Sequence, residues 1–268
     1  TIPFPGLTSK ELSTSKKRIV QLYVDGRLVA TDEKGSGDVK PDNGVLCIGA
    51  EDGNQAPFMG AIDDVRIYNR ALSAAEMRLL GSKASLTARG ARSASLMRGL
   101  VAWWPLDDAR GTKARDLSGN GLDASFVGSP KWVVGAAGGA AVLIDAKGSR
   151  VVTPAFRNPT RAMTVSCWAM GSDDRKWAGG SMVSKRDAFD MRADNNSSNI
   201  SMGFGLTSTN WVWPKTSVSL PLSKWHHYAI TFSDANPQVA AIKATEDELK
   251  SFNQTLRSLA RTAKIPMV

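Results

Sequence analysis

Phe58-Met59-Gly60-Ala61-Ile62-Asp63-Asp64-Val65-Arg66-Ile67-Tyr68-Asn69-Arg70-Ala71-Leu72-Ser73 is the stretch that decides the fold. From Ala61 to Tyr68 it reads as a strand, because Val65 and Ile67 fall on one face while Arg66 and Tyr68 fall on the other. Asp63-Asp64 marks a bulge or a strand entry. Leu72-Ser73-Ala74-Ala75-Glu76 then supplies a capping box, with Ser73 as N-cap and Glu76 at the third helical position. A short helix to about Leu80 is expected.

Upstream, Ile19-Val20-Gln21-Leu22-Tyr23-Val24 is β-branched and aromatic. Asp25-Gly26 supplies the positive-φ pair of a tight turn, and Arg27-Leu28-Val29-Ala30 returns as the second arm of a hairpin. A polar loop with Gly35, Gly37, Pro41 and Asn43-Gly44 leads to a short strand, Val45 to Ile48. Downstream, residues 81–97 are rich in Ser, Ala, Gly and basic side chains without an apolar period, the composition of a linker.

A second strand series begins at Leu100 to Trp104 and continues through Ala140 to Ile144, Arg150 to Thr153, Met163 to Met170 and Gly180 to Lys185. Ile200 to Leu206, Trp211 to Trp213 and Trp225 to Phe232 complete it. Short strands between turn signals, with no helical period among them, imply an all-β antiparallel sandwich or jelly roll. Near the C-terminus, Thr245-Glu246-Asp247-Glu248 is a second capping box. Leu249, Phe252, Leu256 and Leu259 recur at helical spacing, giving an amphipathic helix that ends near Ala263.

The chain of 268 residues has 42% hydrophobic content, 24 Gly and 12 Pro, a globular and turn-rich composition. No run approaches the ~20 apolar residues of a membrane span. Thr1 to Gly6 lacks the features of a signal peptide and so says nothing about export. The net charge of +9 is concentrated at Lys16-Lys17-Arg18, at Lys83, Arg89, Arg92 and Arg98, and at Arg257, Arg261 and Lys264. These are connectors and ends rather than one face, and no nucleic-acid motif accompanies them, so no nucleic-acid partner is expected. Cys47 and Cys167 each sit in an apolar run and read as buried thiols in preference to one disulfide.

Taken together, these residues resemble the laminin G-like jelly roll of the concanavalin A-like lectin and glucanase superfamily. The resemblance rests on the quoted strand and helix, on Trp104-Pro105-Leu106-Asp107 with Asp116-Leu117-Ser118-Gly119-Asn120-Gly121, and on Trp225-His226-His227-Tyr228. It implies that the closing half of the domain, residues 19–82, precedes the opening half, residues 99–236. A basic flexible linker at 83–98 joins them, with an extension at 1–18 and a tail at 237–268. Two organisations are open: one circularly permuted domain, or the tail of one repeat and the head of the next, which would favour a domain-swapped oligomer. Pairing of Ile19 to Val24 with Tyr228 to Phe232 separates them. The resemblance also implies a location outside the cell or in its envelope.

Glucanases of this superfamily place carboxylates alternately along one strand, about 5 Å apart. No such run occurs, and Glu51-Asp52 lies in a Gly/Asn loop, so the chain is expected not to be an enzyme. His226 and His227 point to opposite faces of a strand and cannot share a metal. One should be buried and hydrogen-bonded and the other exposed. Trp177, Trp211 and Trp213 are the candidate ligand residues, since an indole can stack on a sugar ring; their alternative role is partial core. Trp103, Trp104, Trp168 and Trp225 read as core. Asp107, Asp116 and Asn120, with Asp108 and Asp123, supply enough oxygen to consider calcium, against a reading as turn residues that bond their own backbone. The expected function is a non-catalytic binding or adhesion module for carbohydrate or a cell-surface protein. The alternatives are a structural or assembly domain of a larger exported multidomain protein and, ranked last, a glycoside-active enzyme of the same superfamily.

Overall fold

The hairpin at the start of the described chain is built as its sequence dictates: β1 (Arg18–Val24) and β2 (Arg27–Asp32) flank Asp25 and Gly26, with φ of 48° and 72°. Glycine is required at 26 on a second count. A Cβ there would stand 2.7 Å from the Met77 carbonyl oxygen and from Arg78 Cα, on the helix packed over the turn. The computed structural model describes residues 18–51, 57–86, 93–172, 180–193, 200–207, 211–214 and 223–234. The tail 237–268, with its expected amphipathic helix, and Trp177 lie outside the described residues.

Further strands are β3 (Cys47–Ile48), β4 (Gly60–Tyr68), β5 (Leu100–Trp104), β6 (Lys113–Ala114), β7 (Ala124–Val127), β8 (Lys131–Val134), β9 (Ala140–Ile144) and β10 (Arg150–Val152). They continue with β11 (Met163–Gly171), β12 (Ser181–Lys185), β13 (Phe189–Ala193), β14 (Ile200–Gly205), β15 (Trp211–Val212) and β16 (His226–Asp234). Among the described residues they form two antiparallel sheets. Sheet I runs β2-β1-β16-β11-β4-β9-β8, with β5 paired to the far part of β4; sheet II runs β15-β14-β13-β12-β3-β10-β7-β6.

The strands that open and close the described chain are neighbours in sheet I. Their register runs from Arg18 opposite Asp234, through Leu22 opposite Ile230, to Val24 opposite Tyr228. β16 pairs on its other side with β11, which pairs with β4. In sheet II, β3 lies between β10 and β12. Both sheets therefore draw strands from before and after residues 81–99.

One core fills the space between the sheets, with Leu22, Val65, Val165 and Ile230 from sheet I facing Ile48, Val183, Phe189, Met202 and Phe204 from sheet II. Phe204 and Phe232 meet across it at 5.5 Å between ring centroids. Each such side chain contributes roughly 1.5–3 kcal/mol by leaving water. The bulge expected at Asp63-Asp64 is present: β4 spends three steps against two on β11 between Arg66 and Asp63, and Asp64 has φ of 47°.

α1 (Ala74–Leu80) carries the expected capping box, with Ser73 Oγ accepting from Glu76 N–H and the Glu76 carboxylate accepting from Ser73 N–H. Its Met77 and Leu80 pack with Leu72, Tyr23, Tyr68 and Ala229 on the outer face of sheet I. The stretch expected to be a flexible linker departs from that reading at both ends. Lys83–Leu86 is a 3-10 helix that buries Ser85, and α2 (Ala94–Met97) buries Leu96 in the same outer cluster. A single leucine has no period, so its docking left no pattern to read.

Arg18, placed at the edge of the extension by its basic neighbours, is instead a buried anchor. It forms ion pairs with Asp38 and Asp234, donates from Nε to the Gly37 carbonyl at 2.8 Å, and stacks over Phe232. Cys47 and Cys167 are both buried and are not joined in a disulfide. Trp103, Trp104 and Trp168 are buried as expected, while Trp225 is only half-buried.

Candidate functional site

The outer face of sheet II gathers polar and aromatic side chains through simple alternation. Along β13, Phe189 and Met191 enter the core, so Asp190 and Arg192 point outward. Asp190 stands opposite Gly203, and Gly205 stands opposite Trp211. Val212 enters the core, which turns Trp211 and Trp213 to the outside with Asp190 and Arg192.

The two indoles stack on each other, 5.1 Å apart and 21° from parallel. Gly203 is what lets them lie across β14: a Cβ at that position would stand 2.7 Å from Trp213 Cδ2. The Arg192 guanidinium sits 5.5 Å from the centre of the Trp213 ring, so the cation and the π-face are joined. Arg192 Nε donates to Asp190 Oδ2 at 2.6 Å, and its Nη2 forms ion pairs with both Asp190 and Glu51. Glu51 arrives on the loop after β3, tied down where Ser184 Oγ donates to the Ala50 carbonyl at 2.9 Å. Asp190 is 3% exposed, and its Oδ1 makes no hydrogen bond. Burial raises its pKa to about 6 against the pull of Arg192.

Of the aromatic candidates, Trp211 and Trp213 are thus brought together, both half-buried, and Trp177 lies outside the described residues. Sequence reasoning missed Asp190, Arg192 and Glu51. The alternation Phe189-Asp190-Met191-Arg192 is the available signal, obscured by its shortness. Glu51 could not be found from sequence, because its role depends on a strand about 140 positions away.

The oxygen-rich candidates for calcium are engaged in turn chemistry. Asp116 Oδ1 accepts from the N–H groups of Trp103 and Ser118, and Oδ2 accepts from Ser118 Oγ and Leu122 N–H, at 2.8–3.0 Å. A cation would have to displace these donors, so the carboxylate does not suit one. Asn120 Nδ2 donates to the Val101 carbonyl, and Asp107 Oδ1 accepts from Ala140 N–H at 2.7 Å. Asp123 accepts from Asp116 N–H, and Asp108 pairs with Arg115. No group of three or more His, Cys, Asp or Glu among the described residues is placed to hold a metal ion.

The histidine pair divides between faces, but the hydrogen bond falls on the other partner from the one expected. His226 Nδ1 meets Asp25 Oδ2 at 2.8 Å, while His227 is fully buried beside Trp168 with neither ring nitrogen bonded. Burial and the nearby Arg66 push the His227 pKa down to about 3. A second buried polar group lies on β4 and β5. Arg66 pairs with Asp64 at 2.9 Å and stacks 4.5 Å over Trp103, whose Nε1 donates to Asp64 Oδ1 at 2.7 Å. His227 and the Arg66–Asp64–Trp103 group are enclosed, so they stabilise or strain the fold rather than meet a ligand.

A family model, Laminin_G_3, described as the concanavalin A-like lectin/glucanases superfamily, matches residues 12–78 and 145–242. Neither the curated proteins nor the solved structures contain a match to the chain. The matched segments contain the strands that interleave in both sheets, together with Glu51-side and β13–β15 elements of the outer face. By that match and by its two-sheet architecture, the chain belongs to the laminin G-like branch of the concanavalin A-like lectin/glucanases superfamily.

Proposed function

We propose that this protein is a non-catalytic binding module that takes a carbohydrate on the outer face of sheet II. The observation that carries the reading is the stacked Trp211–Trp213 pair beside an Arg192 held by Asp190 and Glu51. An indole face receives the C–H surface of a pyranose, while a guanidinium and carboxylates hydrogen-bond its hydroxyls. The laminin G-like family is one of binding modules, which supports the reading, and so does its usual location outside the cell. No helix among the described residues is long and apolar enough to cross a membrane.

A glycan array tests this. The protein is expected to retain a defined subset of glycans and to lose them on Trp211→Ala with its melting temperature unchanged. An array with no glycan above background refutes the carbohydrate reading and favours an assembly role. We also infer that residues 19–82 and 99–236 act as one permuted domain, a reading supported by the seven paired positions of β1 and β16.

A further inference from the structure

The charge balance of the same face narrows the ligand class. Arg192 is the guanidinium that an acidic sugar would seek, but its Nε and Nη2 are committed to Asp190 and Glu51. Two carboxylates therefore stand beside one guanidinium, and a uronate or sulfate arriving there meets like charge. Asp190 is buried beneath Arg192 and positions it, so Glu51, about one-third exposed, is the carboxylate that a ligand hydroxyl can reach. Nη1 of Arg192 lies outside these pairs and can donate. Lys40 lies near Gly205, its Cδ 3.7 Å from where a Gly205 Cβ would stand, and its backbone N–H is spent on the Gly205 carbonyl.

Resting on the carbohydrate reading above, we propose that the ligand is an uncharged pyranose whose adjacent hydroxyls bridge Arg192 and the Glu51 carboxylate, and that Glu51 makes the site reject acidic sugars. A hydroxyl both donates and accepts, so two neighbouring ones satisfy a guanidinium and a carboxylate together; a carboxylate or sulfate can only accept. The chain's overall positive charge works in the opposite direction and draws polyanions to the surface generally. Selectivity for neutral sugars must therefore come from this site.

The test compares short neutral oligosaccharides with uronic-acid and sulfated ones of equal length by calorimetry at physiological salt, in wild type, Glu51→Gln and Trp211→Ala. Wild type is expected to bind neutral ligands in preference to acidic ones. Glu51→Gln, which removes one negative charge and leaves Nη2 paired with Asp190 alone, should shift the neutral-to-acidic ratio by about fivefold toward acidic ligands, the size of a half-exposed charge interaction. Trp211→Ala should abolish binding of both classes. Wild type that prefers acidic ligands in a Trp211-dependent way, or a ratio unmoved by Glu51→Gln, overturns the proposal and leaves the carbohydrate reading standing. Absence of Trp211-dependent binding in every class overturns both.

Discussion

Two buried ionisable groups push the stability of this fold in opposite directions as pH changes, and single substitutions can separate them. His227 is held at a pKa of about 3 against an ordinary 6.5, chiefly by burial and then by Arg66. Below pH 6.5 the unfolded chain takes up a proton that the folded chain refuses, so this contribution is full above 6.5 and is lost as pH falls. At pH 5 the loss is about 2 kcal/mol, at 1.36 kcal/mol per pKa unit. Asp63 is raised from 3.8 to about 8, mainly by burial, with Ala136 N–H bonding its Oδ2 at 3.0 Å and opposing the shift. The folded chain keeps a proton that the unfolded chain releases above 3.8. Its contribution is present at low pH and is lost as pH rises through 8, by about 2.5 kcal/mol between pH 6 and 9. Asp190, raised to about 6, acts on the same side as Asp63. Urea denaturation followed by tryptophan fluorescence at pH 5, 6, 7 and 9, read at constant m, measures each difference. The stability of His227→Gln relative to wild type should improve by about 2 kcal/mol from pH 7 to pH 5. That of Asp63→Asn should improve by about 2.5 kcal/mol from pH 6 to pH 9. A variant curve parallel to wild type across its window refutes the burial argument for that residue, whatever the pH-independent offset.

The Arg66–Asp64–Trp103 group links a strand before residue 81 to one after residue 99, and Asp64→Asn isolates its charge, because asparagine tolerates the φ of 47°. Removing one member of a buried pair should destabilise by roughly 3–5 kcal/mol, and Arg66→Met in that background should recover much of the loss. Equal stability of Asp64→Asn and wild type in chemical denaturation would show that the pair is not enclosed. If β1 and β16 close one domain, the chain elutes as a monomer in sizing chromatography and its melting midpoint does not depend on protein concentration. An obligate dimer would mean that the strands exchange between copies.

The sheets were legible where one physical signal dominated. Period-two alternation gave β4, β-branched and aromatic composition gave β1, short runs between turn signals gave β11 and β16, Asp25-Gly26 gave the turn, and Ser73 with Glu76 gave α1. Weaker elements left no comparable trace: β7 and β8 are four residues long and expose Val127 and Val134, so burial does not impose a pattern on them. β13 left little trace, because a Phe-Asp-Met-Arg run is too short for its alternation to stand out. The candidate site was half legible. Trp211 and Trp213 stood out by residue type, but their relation to Arg192, Asp190 and Glu51 comes from strand register and from a loop folding over a sheet, neither of which is encoded locally. His227 shows the same limit: sequence predicts burial for one of an adjacent pair but not which one keeps its hydrogen bond.

The register of β1 against β16 has a kinetic consequence. The two strands lie about 200 residues apart in the chain yet are hydrogen-bonded neighbours. At ribosomal speeds of 5–20 residues per second, roughly 10–40 s separate the emergence of β1 from that of its partner. Closing so long a loop adds little to the equilibrium free energy, since the entropy grows only logarithmically with length, but non-local pairing slows the search. Throughout synthesis one edge of the hairpin, bearing Val20, Leu22 and Val24, remains without its neighbour, and an unpaired apolar edge is a template for the wrong strand. Production of this protein in soluble form should therefore depend on chaperone supply and on slow, cool expression more than its final stability would suggest.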